Sequence, residues 1–234
     1  MSANNSLDQT DWKTVGFTHV EYPKGDFIGF ILAWSSLFPF FVLSGFVTHI
    51  YFRREIHTIS FFAGIFLNEG VNLVLKYIVR EPRPTSPHTV SNLEYGWPSS
   101  HSQFTWFFVT YIIFFIYFRS HSSNSMIELI WKHSMTAVCI LTACVVAFSR
   151  YYLQYHNFNQ VLWGSFFGVV LGTGWFVFTH VILSPFFQTV VTLEICEFLM
   201  IRDSTLIPNI MWFEYTTSRQ ESRTRRKMVS KKVQ

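Results

Sequence analysis

The sequence predicts an all-α membrane protein, a polytopic helical bundle with about five transmembrane helices. Half of the 234 residues are apolar, 19% are aromatic and only 14% are charged, which is too apolar for a typical soluble domain. The apolar residues also gather into stretches of about 20, the length at which a helix crosses a bilayer. We therefore expect the bilayer to be the main solvent of this chain.

Five stretches have the composition of membrane spans, and they lie at roughly 27–52, 56–75, 102–118, 130–148 and 161–187. The first and the last are comfortably long enough to cross, whereas the third is short. The second contains Asn68, Glu69 and Asn72. The sequence therefore leaves open whether this second helix crosses the membrane or lies against the bundle.

Polar clusters stand at the ends of these spans, and they read KYIVREPRP at 76–84, PSSH at 98–101 and SRYYLQYH at 149–156. An even number of predicted crossings separates each pair of clusters, so all three should emerge on one face of the membrane. Their cations and imidazoles are Lys76, Arg83, Arg150, His101 and His156. Together these groups would form a complete metal-free site for phosphoryl transfer.

Charge predicts which face carries this site. The opposite face is expected to hold Arg53, Arg54, Arg119 and Lys132, and the chain from Arg202 onward has eight basic residues against three acidic ones. By the positive-inside rule that face is cytosolic, so the clusters face the lumen or the exterior. The basic tail is then expected to contact the anionic cytosolic leaflet and not nucleic acid.

The flanking regions differ from the spans in composition. We expect a lumenal N-terminal segment at 1–26, a transmembrane domain at 27–187, and an amphipathic segment with a basic cytosolic tail at 188–234. Residues 188–200 mix apolar residues with two glutamates, which predicts an amphipathic helix at the membrane surface. From Ser218 the tail is polar and basic, which predicts a mobile segment.

Several remaining features exclude other classes of protein. The N-terminus lacks a basic stretch followed by an early apolar one, so no cleavable signal peptide is expected. Three cysteines give no disulfide framework. No metal-ligand cluster is evident, and we expect neither a metal nor a cofactor.

The first two clusters each admit a simpler interpretation when taken alone. Lys76, Arg80 and Arg83 could reach lipid headgroups, as basic residues at span ends often do. Ser100 with Gln103 three residues later predicts a capping box at a helix start, whose free N–H groups would cradle phosphate. The alternative is an ordinary serine cap beside an interfacial His101.

The third cluster leads into the last predicted span. Gln160 lies one helical turn after His156, and the same spacing continues through Gly164, Gly168 and Gly172. Such a stripe of small residues lets a neighbouring helix approach closely. We favour packing inside the bundle over the alternative, a homodimer seam, because the stripe begins at His156. A homo-oligomer stays open.

Asn68, Asn72 and Lys76 fall at intervals of four in the second span. Polar residues within a span usually face the bundle interior. With Glu69, the two asparagines are interpreted either as support for Lys76 or as simple hydrogen bonds between helices.

The three clusters resemble the type 2 phosphatidic acid phosphatase superfamily, whose pattern is K-x(6)-R-P, P-S-G-H and S-R-x(5)-H-x(3)-D. The resemblance implies that the second of the two histidines is the nucleophile and the first is the acid, and that the basic residues and adjacent serines bind phosphate. In this sequence the implied residues are His156, His101, Lys76, Arg83, Arg150, Ser99 and Ser100. Two positions depart from the pattern, because Ser100 replaces glycine and Gln160 replaces the aspartate that orients the nucleophile.

Further segments resemble the dolichyldiphosphatases within that superfamily, and they read THVEYP at 18–23, EIHTISF at 55–61, LNEGVN at 67–72, WPSSHSQF at 97–104, IRDSTLIPN at 201–209 and FEYT at 213–216. The resemblance implies hydrolysis of a polyprenyl diphosphate lipid, dolichyl diphosphate, at the lumenal face of the endoplasmic reticulum. The product would re-enter protein N-glycosylation. The terminal Lys231-Lys232-Val233-Gln234 is similar to a di-lysine retrieval signal.

Gln160 bears on the choice of substrate. A glutamine can accept the ring N–H of His156 but brings no charge, and the loss of a comparable carboxylate costs about 10⁴ in turnover in a serine protease. We hypothesise that an easier reaction, cleavage of an anhydride instead of a monoester, tolerates this loss. The alternatives are a broad-specificity phosphatidate or sphingoid phosphate phosphatase, and a non-catalytic, scramblase-like lipid-binding relative.

Overall fold

The computed structural model describes residues 12–15, 20–84, 95–119, 126–207 and 210–232. The helices in these ranges are α1 Phe27–Ser35, α2 Phe38–Arg53, α3 Ile56–Val79, α4 Ser100–Phe114, α5 Met126–Tyr152, α6 Phe158–Val177, α7 Ser184–Val191, α8 Glu194–Phe198 and α9 Ile210–Lys232. π-Helical turns at Phe115–Arg119 and Phe178–Leu183 follow α4 and join α6 to α7. The helical membrane architecture expected from the sequence is confirmed.

Five helical stretches are long and apolar enough to cross a membrane, namely Phe27–Arg53, Ile56–Val79, Ser100–Phe118, Met126–Tyr152 and Phe158–Val191. These correspond in order to the five predicted spans. The doubtful second span is a continuous helix of 24 residues, about 36 Å long at the α-helical rise. By length and composition α3 is therefore able to cross.

Two spans are less regular than their apolar runs predict. The first is divided into α1 and α2 at Ser36 and Leu37, just before Pro39 in the first turn of α2. Proline has no N–H to donate and its ring clashes with the preceding turn, so it favours a new helix start. In the fifth span Pro185 likewise lies in the first turn of α7, which directly follows the π-helical turn.

A short β-hairpin precedes the helices and lies within the predicted segment 1–26. Its strands, β1 Trp12–Val15 and β2 Val20–Pro23, pair antiparallel, whereas residues 1–11 and 16–19 lie outside the described ranges. The backbone N–H of Glu21 donates to Tyr155 Oη over 2.9 Å. This bond ties the hairpin to the loop between α5 and α6, which the sequence did not indicate.

Close packing of α4 on α6 organises the bundle. A Cβ added at Gly164, Gly168 or Gly172 would lie only 2.5 to 2.8 Å from a backbone oxygen of α4 or of its cap residue Ser99, so only glycine permits this separation of the two helices. The preference for packing inside the bundle is confirmed for this stripe, and the homodimer interpretation of it is wrong.

An aromatic cluster fills the bundle beside these two helices. Phe61 of α3 stacks on Tyr111 of α4 with ring centroids 3.8 Å apart, and Phe46 of α2 meets Phe61 edge to face at 5.0 Å. The other buried members of the cluster are Ile65, Phe104, Phe107 and Phe176. The cluster joins α2, α3, α4 and α6 and leaves many other apolar side chains on the outside, as lipid contact requires.

The C-terminal region differs from its prediction in two ways. Residues 188–200 do not form one amphipathic helix, because α7 ends at Val191 and the short α8 follows a turn. The tail from Ser218, expected to be mobile, belongs to the 23-residue helix α9. The side chains of Lys231 and Lys232, and all of residues 233–234, lie outside the described part.

Ion pairs hold the start of α9 against the end of the bundle where α2 meets α3. Glu214 pairs with Arg53 of α2 and, over 2.8 Å, with Arg202. Arg202 also contacts Glu55, which precedes α3, over 2.9 Å. These pairs give a polar helix the fixed start that its composition alone does not supply. Further along α9, the exposed Glu221–Arg225 pair joins side chains one turn apart.

Candidate active site

The three polar clusters meet around one cavity of about 470 Å³, a volume within the range of small-ligand sites. Its lining residues are Leu73, Lys76, Tyr77, Arg83, Tyr95, Ser100, His101, Arg150, Tyr155 and His156. Both predicted imidazoles, all three predicted cations and one of the two predicted serines are among them. Tyr77, Tyr95 and Tyr155 were not expected from the sequence.

The end of α3 places two of the cations. Arg80 adopts the left-handed conformation, with φ of 53°, and its N–H donates to Lys76 O over 2.9 Å, as at many helix ends. The helix thus stops before the Glu-Pro-Arg-Pro stretch, which cannot continue it. The chain turns back there, so that Lys76 in the last turn and Arg83 beyond it both line the cavity.

The start of α4 contributes Ser100 and His101, but the expected capping box is not formed. Ser99, not Ser100, is the cap position, and it makes no side-chain cap bond. Gln103 is fully buried against α3, where its Nε2 donates to Asn68 O over 2.9 Å and its Oε1 accepts from Asn72 Nδ2 over 2.8 Å. A buried amide needs such partners more than a helix end that is open to a cavity.

Three residues that were expected to support the site or bind phosphate, Asn72, Glu69 and Ser99, do not line the main cavity. Asn72 bonds α4 through Gln103, which favours the interpretation as hydrogen bonding between helices. Glu69 lines a separate cavity of about 230 Å³, mostly apolar, that shares Ser100 and His101 with the main one. Ser99 does not reach the main cavity, because it is fully buried and its N–H donates to Gln160 O over 3.0 Å.

Arg150, near the end of α5, is only 3% exposed. Its guanidinium lies over the Tyr155 ring, with 5.3 Å from Cζ to the ring centroid, and its Nε donates to Ser149 Oγ over 3.3 Å. Among the described residues, Nη2 has no hydrogen-bond acceptor. A buried guanidinium with an unused donor beside a cavity is suited to an anion.

The loop after α5 presents His156. The N–H groups of Tyr155 and His156 both donate to Arg150 O over 3.1 Å, and Gln154 takes the left-handed conformation. His156 is 4% exposed, and its Nδ1 lies 3.0 Å from Gly96 O and 3.2 Å from Gln160 Oε1. Both neighbours are acceptors, so Nδ1 carries the ring proton and Nε2 keeps its lone pair.

Electrostatics keep this imidazole neutral. Burial lowers the pKa of His156 to about 3, and the positive charges of Arg83 and Arg150 act in the same direction, whereas the hydrogen bond that the ring donates to Gln160 acts against them. A neutral ring with an unprotonated Nε2 is the form that can attack phosphorus.

Gln160 is held by one acidic residue that the sequence analysis missed. Its Nε2 donates to Glu81 Oε1 over 2.8 Å and to Pro82 O over 3.0 Å. Glu81 was the only acid within the first cluster. Its position among cations was the available signal, but the 79 residues that separate it from Gln160 hid the contact.

A larger cavity, of about 610 Å³, lies at the opposite end of the bundle. Its lining is mainly apolar, contains none of the predicted site residues, and includes Phe46, Glu55, His57, Phe61, Thr205 and Ile207. Size alone therefore does not mark the reactive end of this molecule, whereas the convergence of imidazoles and cations does.

The family model described as PAP2 superfamily matches residues 57–183, which include all three clusters. The chain belongs to the PAP2 superfamily. Among PAP2 relatives, Dolichyldiphosphatase 1 of Callithrix jacchus is 48% identical over 95% of each chain, which confirms the resemblance seen in the sequence. Lipid phosphate phosphatase gamma of Arabidopsis thaliana is 36% identical over 88% of this chain and 91% of that one.

A solved PAP2 structure shares the fold. The transmembrane PAP2 type phosphatidylglycerolphosphate phosphatase of Bacillus subtilis superposes with a TM-score of 0.50 at 24% identity, over 66% of this chain and 74% of the other. At this identity the likeness concerns the arrangement of helices alone.

Proposed function

We propose that this protein hydrolyses dolichyl diphosphate to dolichyl phosphate and inorganic phosphate through a phosphohistidine intermediate. The observation that carries the proposal is the cavity in which His101 and His156 meet Lys76, Arg83 and Arg150. The substrate class is supported by the 48% identity to a dolichyldiphosphatase over 95% of the chain.

In the first step the Nε2 lone pair of His156 attacks the terminal phosphorus. A P–N bond forms while the bond from that phosphorus to the bridging oxygen breaks, and dolichyl phosphate leaves with the bonding electrons. His101, in the first turn of α4, donates a proton to the departing oxygen. Lys76, Arg83 and Arg150 stabilise the charge on the equatorial oxygens of the transferred group, with Ser100 beside them.

In the second step water attacks the phosphorus of the phosphohistidine. The water proton passes to His101, the P–N bond breaks, and inorganic phosphate departs. His156 then returns to the neutral form with its proton on Nδ1. The cycle uses only proton and phosphoryl transfers, and in it these side chains supply the nucleophile, the acid and base, and the positive charge.

The leaving group supports an anhydride substrate. A departing phosphate, whose second pKa is about 6, needs much less protonation than a departing alkoxide. A site in which burial and three cations surround both imidazoles is therefore better matched to a diphosphate than to a monoester. We expect dolichyl phosphate, the product, to be cleaved far more slowly than dolichyl diphosphate.

We place the active site at the lumenal face of the endoplasmic reticulum and the C-terminus in the cytosol. The support is the run of basic residues on the other face and the di-lysine sequence at 231–232. In this orientation the product returns to the pool of lipid carrier that serves protein N-glycosylation.

A broad-specificity lipid phosphatase is the second candidate. The observation in its favour is the 36% identity to Lipid phosphate phosphatase gamma of Arabidopsis thaliana. The two candidates differ in whether phosphatidate competes with dolichyl diphosphate as a substrate.

The decisive experiment measures phosphate release by the purified full-length protein in detergent, with a chelator present. Dolichyl diphosphate, dolichyl phosphate and phosphatidate are compared at equal concentrations. We expect dolichyl diphosphate to be cleaved fastest and His156→Ala to lose about 10³-fold or more in turnover, as expected for loss of a nucleophile. Equal rates on phosphatidate would favour the second candidate.

A matched control separates loss of the nucleophile from a general effect of histidine replacement. His133 lies on the same helix as Arg150 but is exposed and bonds Tyr117 Oη at 2.8 Å, away from the cavity. His133→Ala should keep wild-type turnover. Unchanged phosphate release by His156→Ala would rule out the assigned nucleophile.

A further inference from the structure

The amide of Gln160 makes four hydrogen bonds, which fix its orientation. Its Oε1 accepts from His156 Nδ1 at 3.2 Å and from the Asn157 N–H at 3.2 Å. Its Nε2 donates to Glu81 Oε1 at 2.8 Å and to Pro82 O at 3.0 Å. Donors thus lie on one side of this fully buried amide and acceptors on the other, so a flipped amide would lose every bond.

Glu81 is held at this place by its own backbone. Its carbonyl oxygen accepts from the Gly96 N–H at 2.7 Å, and the next residue, Pro82, forms a β-bridge with Tyr95. The carbonyl oxygen of Gly96 in turn accepts a hydrogen bond from His156 Nδ1 at 3.0 Å. A Cβ on Gly96 would lie 2.7 Å from Gln160 Nε2, so the absence of a side chain there lets the amide reach Glu81.

We propose that Glu81 is a positioning residue that supplies, through the amide of Gln160, the negative charge that the superfamily pattern places on an aspartate. The inference rests on the proposed function, since it concerns the same nucleophile. The carboxylate polarises the amide by accepting from Nε2, and the amide oxygen becomes a stronger acceptor for the ring N–H. Gln160 then transmits the charge of Glu81 to His156.

The charge matters most when phosphorus is attached to the ring. Once Nε2 bears the phosphoryl group, Nδ1 still holds its proton and the imidazole becomes a cation. Its surroundings are otherwise unfavourable, because it is buried next to Arg83 and Arg150. A carboxylate one amide away stabilises that cation, and with it the transition state that leads to it.

The same geometry predicts that aspartate is no longer the best residue at position 160. An acidic side chain there would face the carboxylate of Glu81 and the carbonyl of Pro82, with no donor between them. Restoring the acid of the superfamily pattern should therefore lower the activity. This expectation is opposite to the one that the sequence pattern alone would give.

The test is a double-mutant cycle on the full-length protein with dolichyl diphosphate, made of Glu81→Gln, Gln160→Glu and the two combined. Glu81→Gln keeps the size of the side chain and an acceptor for Gln160 and removes only the charge. We expect turnover to fall about 10- to 100-fold, less than the 10⁴ of a directly bonded carboxylate, with KM within about threefold because the cavity groups are untouched. Gln160→Glu, with two carboxylates in contact, should fall at least as far.

The combined variant distinguishes charge transmission from a structural role. It restores one carboxylate and one amide in contact, so its turnover should exceed that of Gln160→Glu by about tenfold or more. Turnover of Glu81→Gln within about threefold of wild type would overturn the proposal. So would a combined loss equal to the product of the two single losses.

Two controls keep this result separate from the proposed function. Glu194→Gln, an exposed glutamate of α8, should behave as wild type, and the thermal midpoint of Glu81→Gln should match that of wild type. If the wild-type protein cleaves another lipid phosphate but not dolichyl diphosphate, the proposed function fails. The turnover of the double-mutant cycle is then measured with the lipid phosphate that the wild-type protein does cleave.

Discussion

At the scale of single residues, the imidazole of His156 is kept in one protonation state by its surroundings. Two carbonyl oxygens, of Gly96 and Gln160, hold the proton on Nδ1 of His156. Burial and the guanidinium groups of Arg83 and Arg150 disfavour a second proton. In the proposed role of nucleophile, His156 therefore needs no general base to activate it, and the cations proposed to bind the substrate also keep it neutral.

This arrangement has a cost in stability at acid pH. The unfolded chain binds a proton at His156 below about pH 6.5, the ordinary pKa of histidine. The folded protein binds that proton only near pH 3. The contribution of a neutral buried His156 is therefore complete above pH 6.5 and is lost as the pH falls toward 3, by at most about 1.4 kcal/mol per pH unit. Thermal unfolding in detergent between pH 7 and 4.5 should show a shallower decline for His156→Asn than for wild type. Parallel declines would contradict the assigned burial of a neutral ring.

Residue-scale prediction from the sequence identified the side chains that meet, because each motif marks its own chemistry. The five residues Lys76, Arg83, Arg150, His101 and His156 all line one cavity, and their roles in catalysis stay predictions. The partners of Gln160 could not be predicted in this way, because hydrogen bonds between distant segments depend on the path of the backbone. Ser99 is the opposite case. It belongs to the same motif as His101, yet it is fully buried, its N–H donates to Gln160 O, and it does not line the cavity.

At the scale of helices, the α4–α6 contact brings the two imidazoles to one cavity. His101 is in the first turn of α4, and His156 directly precedes α6. The glycine stripe of α6 sets the distance between these helices along three successive turns. The placement of His101 relative to His156 therefore depends on how closely α4 and α6 pack.

A substitution in the middle of the stripe should disturb both stability and activity. A Cβ at Gly168 would meet Gln103 O at 2.5 Å and Trp106 Cβ at 2.8 Å, contacts that only a shift of the helices can relieve. We expect Gly168→Ala to cost about 1–3 kcal/mol and to lower turnover, measured by thermal unfolding and phosphate release. Gly174→Ala, where no atom lies within 4 Å of the new Cβ, is the matched control and should change neither. Equal behaviour of the two variants would remove the packing argument.

The helices themselves were predictable because lipid imposes one simple requirement, a long apolar run. Interruptions of those runs were harder to foresee. Pro39 was visible in the sequence, but whether a proline bends or divides a helix depends on the neighbours that pack against it. The failed capping box at Ser100 has a similar cause, since Gln103 found better partners on α3 than at its own helix end.

At the scale of the whole molecule, the two ends of the bundle differ in chemistry. At one end, the Nη2 donor of Arg150 has no acceptor among the described residues, and cations line the cavity beside it. The other end joins α2, α3 and α9 through acidic and basic partners, including the pairs of Glu214 with Arg53 and Arg202. Basic residues therefore line a cavity at one end and form ion pairs between elements at the other.

The orientation of these ends can be measured with glycosylation acceptors, which are modified only in the lumen. In an Asn4→Gln background, Glu94→Thr completes an acceptor at Asn92, between the first two clusters and outside the described residues. Gln220→Asn completes one ahead of Glu221 and Ser222 on α9. We expect a glycosidase-sensitive increase in mass for the first variant in microsomes and none for the second. The reverse pattern would invert the proposed topology.

The β-hairpin contact has a practical consequence for anyone who handles this protein. The N–H of Glu21 holds the hydroxyl of Tyr155, whose ring supports the guanidinium of Arg150. A truncated protein that starts at α1 would keep all three clusters and still lose this support. Affinity tags, reporter fusions and truncations are therefore better placed on the C-terminal side of α9 than on the N-terminal side of the hairpin.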